Sequence, residues 1–251
     1  MSDDKYINEL TPIEAHEGIQ IKRDDLFQVA GQHGGKARTC WHLSQGAIGL
    51  ITAGSRQSPQ VAITAAIAQR LDIPCRVHVP SGKFTPQLES AEKCGAKVIQ
   101  HKPGYNSVII SRSKKDAAEK QWTEIPFGME CQEAVYQTAQ QVKNIPDDIK
   151  RIIVSVGSGM SLAGILYGLK QIEREIPVCG IVVGANPIKR LGLYASNWQN
   201  ECKLIPSELD YHQHAPNTYW GDVQLDPIYE AKCIPYFQEG DLFWVVGCRE
   251  L

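Results

Sequence analysis

Arg151-Ile152-Ile153-Val154-Ser155-Val156-Gly157-Ser158-Gly159-Met160-Ser161-Leu162-Ala163-Gly164 is the stretch on which the fold turns. Arg151 to Val156 is a short, branched apolar run and reads as a buried strand. It passes without a linker into a glycine–serine turn, and Ser161 to Arg174 then carries helical spacing. A continuously apolar strand followed at once by a helix is the unit of a parallel sheet covered on both faces. The turn also carries chemistry. Glycines let the backbone approach an anion, and the N–H groups of the loop and first helical turn then point at it. Ser158 and Ser161 add hydroxyl donors. An ordinary strand-to-helix turn looks the same, so this motif alone does not decide a function. A dinucleotide fingerprint fits poorly, because glycine arrives at Gly164 rather than at the spaced third position; a P-loop is excluded, because no Gly-Lys-Ser/Thr follows.

The same alternation extends in both directions. Ile48 to Thr52 reads as a buried strand ending at Ala53-Gly54-Ser55, and Val61 to Leu71 as a helix rich in Ala and Ile. Cys75 to Val79 is a strand, Thr85 to Cys94 a helix stopped by Gly95, Lys97 to Gln100 a strand and Ser107 to Lys120 a helix. Downstream, Cys131 to Val142 is expected to be helical, Val178 to Val183 a strand, Pro227 to Tyr236 a helix and Leu242 to Val246 a closing strand. Residues 186 to 224 are aromatic-rich, show no period, and are expected to be irregular. The pattern predicts an α/β fold with parallel-type sheets flanked by helices.

Composition narrows the class. The 251 residues are 43% hydrophobic and 22% charged, enough for a sizeable core. The net charge of -2 and the lack of a basic block give no support for wholesale nucleic-acid binding. Arg112-Ser113-Lys114-Lys115, followed by Asp116, reads as a solvated helix face. Eight cysteines form no CxxC pair and no set with metal-ligand spacing; they are expected to be buried thiols in a reducing cytoplasm. The acidic, polar start does not resemble a signal peptide, and no apolar stretch approaches the roughly 20 residues that span a bilayer.

Further stretches carry reactive groups. Gly34-Gly35-Lys36 places a lysine after two glycines, at an expected helix start, although a surface lysine is the usual reading of any one Lys. Ser55-Arg56-Gln57-Ser58-Pro59-Gln60 is a polar turn leading into a helix, whose N-terminus favours a carboxylate. His212 and His214, near Tyr211, Tyr219 and Trp220, fit a pocket mouth or a solvated loop equally; with no third ligand, a metal site is not expected. Cys248 reads as packing on the last strand.

In order along the chain, Ile21-Lys22-Arg23-Asp24-Asp25-Leu26, Gly34-Gly35-Lys36, Gln57-Ser58 and the Gly157–Ser161 loop resemble the tryptophan-synthase-β-like (fold type II) family of pyridoxal 5'-phosphate (PLP) enzymes. The nearest look is to the branch of 1-aminocyclopropane-1-carboxylate (ACC) deaminase and D-cysteine desulfhydrase. The likeness covers most of residues 20 to 170 and returns at Leu225-Asp226-Pro227-Ile228-Tyr229-Glu230-Ala231-Lys232. It implies two domains, a small one over 46–126 and a larger one from 1–45 and 127–251, with PLP in the cleft between them. Lys36 would hold PLP as a Schiff base and shuttle the substrate Cα proton. Gly157, Ser158, Gly159, Met160 and Ser161 would form the phosphate cup. Ser55, Gln57, Ser58 and Gln60 would bind the substrate, Gln57 and Ser58 at its carboxylate, with Ser58 assisting proton transfer, and Tyr229 would pack near cofactor or substrate. Glu230 stands where the deaminase branch has an acidic residue on the pyridine nitrogen and the desulfhydrase branch has threonine. A carboxylate there favours reactions that pass through a quinonoid: deamination, β-elimination or loss of the α-carboxylate.

The departures matter too. The family's asparagine after Gln-Ser, which contacts the cofactor's phenolic oxygen, is Pro59, leaving Gln60 as the nearest substitute, and the asparagine before the lysine is Gly35. The chain is also shorter than typical relatives, with the loss between about 185 and 225, where substrate-binding loops lie. Three functions therefore stay open. One is deamination or β-elimination of a small free amino acid. A second is decarboxylation or deamination of an amino acid attached to something larger, such as a modified nucleoside in DNA. The third is a ligand-binding protein that keeps the fold without turnover. The family look also implies a homodimer.

Overall fold

The computed structural model describes residues 4–102, 104–184 and 186–247. In chain order the elements begin with β1 (Ile13–His16), β2 (Ile19–Arg23), β3 (Gln28–Val29), β4 (Gln32–His33) and α1 (Gly34–Leu43). Then come β5 (Leu50–Ala53), α2 (Pro59–Arg70), β6 (Cys75–Pro80), α3 (Pro86–Lys93), β7 (Lys97–His101), α4 (Asn106–Lys120) and β8 (Thr123–Ile125). They are followed by α5 (Gln132–Gln140), β9 (Arg151–Val156), α6 (Met160–Gln171), β10 (Val178–Val182), α7 (Ile188–Tyr194) and α8 (Trp198–Glu201). The last are β11 (Cys202–Pro206), β12 (Tyr219–Trp220), β13 (Val223–Gln224) and β14 (Asp241–Val245). The chain divides into two compact units: one holds Asp4, Gln28–Gln32 and Lys36–Glu133, the other Lys5–Phe27, His33–Gly35 and the chain from Ala134.

The first unit is built on a four-stranded parallel sheet in the order β7-β6-β5-β8. All four residues of β5 are buried, as expected for a strand covered on both faces. This strand starts two residues later than its apolar run implied. Gly49 passes so close to the Trp122 ring that a Cβ would lie 2.4 Å from it, and the strand begins beyond that approach. Helix α2 starts where its cap chemistry dictates: the Ser58 hydroxyl accepts from Gln60 N–H at 3.3 Å, and Pro59 fills the first helical position.

The second unit carries a six-stranded sheet, β1-β2-β14-β9-β10-β11. It is parallel except for the β1–β2 pair, an antiparallel edge hairpin. Its two-residue turn, Glu17-Gly18, has positive φ at both positions, the geometry that matches strand twist. Helix α6 packs closely on α5: a Cβ on Gly164 would lie 2.4 Å from Thr138 Cβ, and one on Gly168 2.7 Å from the Ala139 carbonyl. Gly164 thus serves helix packing.

Residues 186–224 are more ordered than their sequence suggested. They supply α7, α8, the edge strand β11 and the β12–β13 pair. Ala215 and Val223 join Ile19, Ile21, Ile153, Ile181, Phe243 and Val245 in one core cluster, so burial organises a stretch that lacks period. Two expected helices are shortened. Helix α5 gives way to a 3-10 turn at Gln141, and the stretch expected to be helical from Pro227 forms 3-10 turns over Glu230–Tyr236, with Pro235 inside. Of the cysteines, 40, 75, 179 and 233 are buried thiols, while 94, 131 and 202 are half-buried thiols; Cys248 lies outside the described residues. Among the described residues no helix is long and apolar enough to cross a membrane.

Candidate active site

In the second unit the carboxyl ends of two neighbouring strands, β9 and β14, gather most of the expected site. Beyond β9, Gly157, Ser158 and Gly159 lead into α6, with Met160 and Ser161 in its first turn. Gly159 has a φ of +91°, a left-handed conformation that glycine adopts without strain and that aims the following N–H groups past the helix start. Behind it, Pro187 and Leu191 leave no room for a side chain: a Cβ would sit 3.0 Å from Pro187. Gly157 gives the closest approach on the other side, where a Cβ would be 2.8 Å from Cε1 of Tyr229. The Tyr229 ring therefore lies directly on the loop backbone.

The turn that presents Tyr229 and Glu230 is made by Asp226. Its Oδ1 accepts from the N–H groups of Ile228 (2.8 Å) and Tyr229 (3.1 Å), and its carbonyl accepts from Ala231 N–H. Glu230 is only 4% exposed. Ser155 Oγ donates to its Oε1 at 3.2 Å, and the Val246 N–H, just past β14, also bonds the carboxyl. Burial, reinforced by the charge of Asp226, pushes Glu230 up to about 8 despite those hydrogen bonds. Near neutrality this carboxyl therefore both holds and yields a proton. Val246 also fixes the approach to the lysine. Its carbonyl accepts from Gly35 N–H at 3.1 Å, and a Cβ on Gly34 would lie 2.8 Å from the same oxygen. Lys36 is the next residue, an exposed side chain in the first turn of α1.

Ser55, Gln57 and Ser58 lie in the first unit, in the turn between β5 and α2. Ser55 and Gln57 are exposed and Ser58 half-buried, and Ser58 N–H donates to the Ser55 carbonyl at 3.0 Å. Gln60 departs from its expected role. Buried at 1% exposure, it donates to Thr52 Oγ1 and to the Pro126 carbonyl, both at 2.8 Å, and accepts from Gly128 N–H at 2.9 Å. Both amide protons are engaged inside the unit, so neither serves a phenolic oxygen in place of the missing asparagine. Gln60→Leu is expected to remove three hydrogen bonds, leaving the half-buried Pro126 carbonyl and Gly128 N–H without this partner, and lower stability by about 1–3 kcal/mol. A urea midpoint equal to wild type would refute it.

Three contributors escaped the sequence reading. Ser155 is a lone hydroxyl in an apolar strand, Asp226 precedes a proline, and Tyr211 comes from the stretch without period; the first two carry a local signal. Tyr211 Oη accepts from Tyr229 at 3.3 Å, and His212 lies edge-on to it at 4.9 Å. Trp220, by contrast, packs on Phe237 and donates to the His16 carbonyl.

A cradle of small residues at the start of a 12-residue helix suits a phosphate. A buried carboxyl with a raised proton affinity suits a heteroaromatic nitrogen, and a ring lying on the loop suits a flat cofactor. These residues fit PLP.

Comparison with known proteins agrees. A family model described as "Pyridoxal-phosphate dependent enzyme" matches residues 9–210. A D-cysteine desulfhydrase from Serratia proteamaculans is 25% identical, with 88% of this chain and 80% of the relative covered. An O-seryl-dTMP PLP-dependent decarboxylase from Salmonella phage ViI is 29% identical over 109 residues, 40% of this chain but only 22% of the relative. Among solved structures, an ACC deaminase homologue superposes with a TM-score of 0.79 at 19% identity, covering 98% of this chain and 92% of its own. The chain belongs to the fold type II family of pyridoxal-phosphate dependent enzymes, near the branch of ACC deaminase and D-cysteine desulfhydrase, and its cofactor is PLP.

Proposed function

We propose that the protein is a lyase or deaminase that breaks a bond at Cα of a small free amino acid. The observation that carries this reading is Glu230, a buried carboxyl with a pKa raised to about 8. When bound, PLP supplies an aldehyde that takes up amines and a ring that accepts the electron pair left on Cα. The chain's residues divide the remaining work. The Gly157–Gly159 loop with Met160 and Ser161 would bind the phosphate, and the Lys36 amine would hold the cofactor covalently. Glu230 keeps a proton at the ring nitrogen, where it makes the ring a stronger electron acceptor. Ser55, Gln57 and Ser58, at the start of α2, orient the substrate carboxylate. Lys36 takes the Cα proton. Ser58 already accepts a backbone N–H, so its hydroxyl proton remains available to donate. Tyr229, which lies on the Gly157 backbone, would border the bound cofactor.

A second reading is decarboxylation or deamination of an amino acid joined to a nucleotide. The partial likeness to the phage decarboxylase supports it, while the net charge of -2 speaks against a duplex substrate. The test is a panel of D- and L-amino acids and ACC, assayed with holoenzyme for ammonia, keto acid and CO2. Ammonia and a keto acid from at least one small amino acid are expected. CO2 from a seryl nucleotide, with every free amino acid inert, would replace the first reading by the second. Bound PLP with no turnover of either class would sink both.

A further inference from the structure

The first unit holds a cluster of titratable side chains that the chemistry above does not use. His78 in β6 and His101 at the end of β7 stack with ring centroids 5.0 Å apart and planes 22° apart. Arg112 Nη1 lies 2.8 Å from His101 Nδ1, and His101 Nε2 lies 2.9 Å from His78 Nδ1. His78 Nε2 is 2.8 Å from Asp116 Oδ2, which also accepts from Arg76 Nε at 2.6 Å. A guanidinium only donates, and this fixes the whole chain. His101 accepts at Nδ1 and donates from Nε2 to His78; His78 donates from Nε2 to Asp116. That assignment follows from the hydrogen-bond network and leaves both rings neutral. An added proton sets two donors against each other, either between the rings or at Arg112. Arg112 is exposed and is the partner able to leave.

The pair is joined to the substrate turn through backbone. The His101 carbonyl accepts from Ser81 N–H at 2.6 Å, and Gln100 Oε1 accepts from Gly82 N–H at 3.2 Å. The loop that starts there grips Arg56 in three ways. Arg56 Nη1 donates to the Lys83 carbonyl at 2.7 Å, and the Thr85 hydroxyl donates to the Arg56 carbonyl. The guanidinium also covers Gly82, where a Cβ would lie 2.5 Å from Cζ. Arg56 sits between Ser55 and Gln57, so its backbone is the backbone of the turn.

We infer that His78 and His101 are positioning residues that hold the Ser55–Ser58 turn in its binding form while both rings are neutral and release it when a proton enters the pair. This rests on the reading of that turn as the carboxylate site. The charged groups facing the pair are Arg112 and Asp116 from α4 and Arg76 from β6; Glu89, Glu92 and Lys93 of α3, which packs on β7, are exposed. Burial is the main influence holding both rings below the ordinary imidazole value. For His101 the facing His78 and Arg112 act in the same direction; for His78 the arginines assist while Asp116 opposes. Release therefore falls on the acid side of neutrality.

The test uses holoenzyme over roughly pH 8 to 5, the span in which imidazoles titrate. Ring nitrogens and the amides of Arg56, Ser81 and Gly82 are followed by NMR without substrate. The Kd of glycine, the smallest probe with both amine and carboxylate, is read from the change in cofactor absorbance. The amides are expected to titrate with the rings, and the Kd to rise severalfold toward acid beyond the effect of glycine's own ionisation. His101→Phe keeps the stack and should flatten both responses; Arg112→Met, at an exposed site, should move both midpoints upward by removing a positive neighbour. Amides that ignore the rings, or an Arg112→Met profile identical to wild type, overturn the inference. Amides that follow the rings while the Kd shows no such rise overturn the turn's assignment to the carboxylate, and with it the catalytic consequence.

Discussion

Lys36→Ala is expected to give a folded protein that has lost the visible absorbance of covalently held cofactor and at least about a thousandfold of turnover, the scale of losing a positioned proton carrier. Folding should survive, because the side chain is exposed and alanine is the best helix former at the start of α1. The backbone that leads to the residue is held by its neighbours: Gly35 N–H donates to the Val246 carbonyl, and Gly34 packs against the same oxygen. The variant should still take up PLP reversibly, since the helix start at Gly159 and the Glu230 carboxyl are untouched. Borohydride treatment of the wild type should fix the cofactor to the peptide containing Lys36, and the variant should not be labelled. A borohydride label that persists in Lys36→Ala would move the covalent role to another lysine.

How much of this was legible depended on whether a feature is local. Arg151 to Val156 announced itself, since a strand buried on both faces is mostly apolar, as Ile152-Ile153-Val154 and Val156 are, and a glycine turn follows it directly. The Gly157–Ser161 loop and the Ser58-Pro59 helix start are local in the same sense: their backbone geometry is written in the residues that adopt it. The β1–β2 hairpin was missed because Ile13-Glu14-Ala15-His16 is a half-exposed edge strand of four residues, too short for its alternation to stand out; only Glu17-Gly18 marks it. The stretch from 186 to 224 was opaque for another reason. Its order comes from Ala215 and Val223 reaching a core formed by strands far away in sequence, so no period appears.

The site repeats the distinction. Glu230 and Tyr229 could be picked out by motif, yet nothing near them reveals that Ser155, 75 residues earlier, donates to the carboxyl. That contact exists because the 3-10 segment that begins at Glu230 packs on β9, an association that adjacent sequence does not encode. Gln60 is the converse case. Proximity to Ser58 recommended it as a ligand, whereas the fold uses its amide to tie Thr52, Pro126 and Gly128 together.

Glu230→Gln should separate the needs of the chemistry from those of the fold, with opposite signs in the two states of the protein. In the cofactor-free protein the carboxyl ionises at about 8 rather than its ordinary 4.5. Between those values the native state holds a proton that the unfolded chain has released, so wild-type stability falls as pH rises, by up to about 1.4 kcal/mol per pH unit. Glutamine removes that dependence and still accepts from Ser155. The variant should therefore gain on the wild type steadily from pH 5 to pH 8 in urea unfolding, and the two should converge near pH 4. With cofactor and substrate present the order reverses. A glutamine cannot hand a proton to the ring nitrogen, so the electron pair left on Cα is less well stabilised, and turnover should drop by about a hundredfold, the scale of losing one preorganised donor. A variant equally destabilised at both pH values would show that the carboxyl is ionised in the resting protein. Turnover close to wild type would remove Glu230 from the chemistry and leave it a buried acid that the fold tolerates.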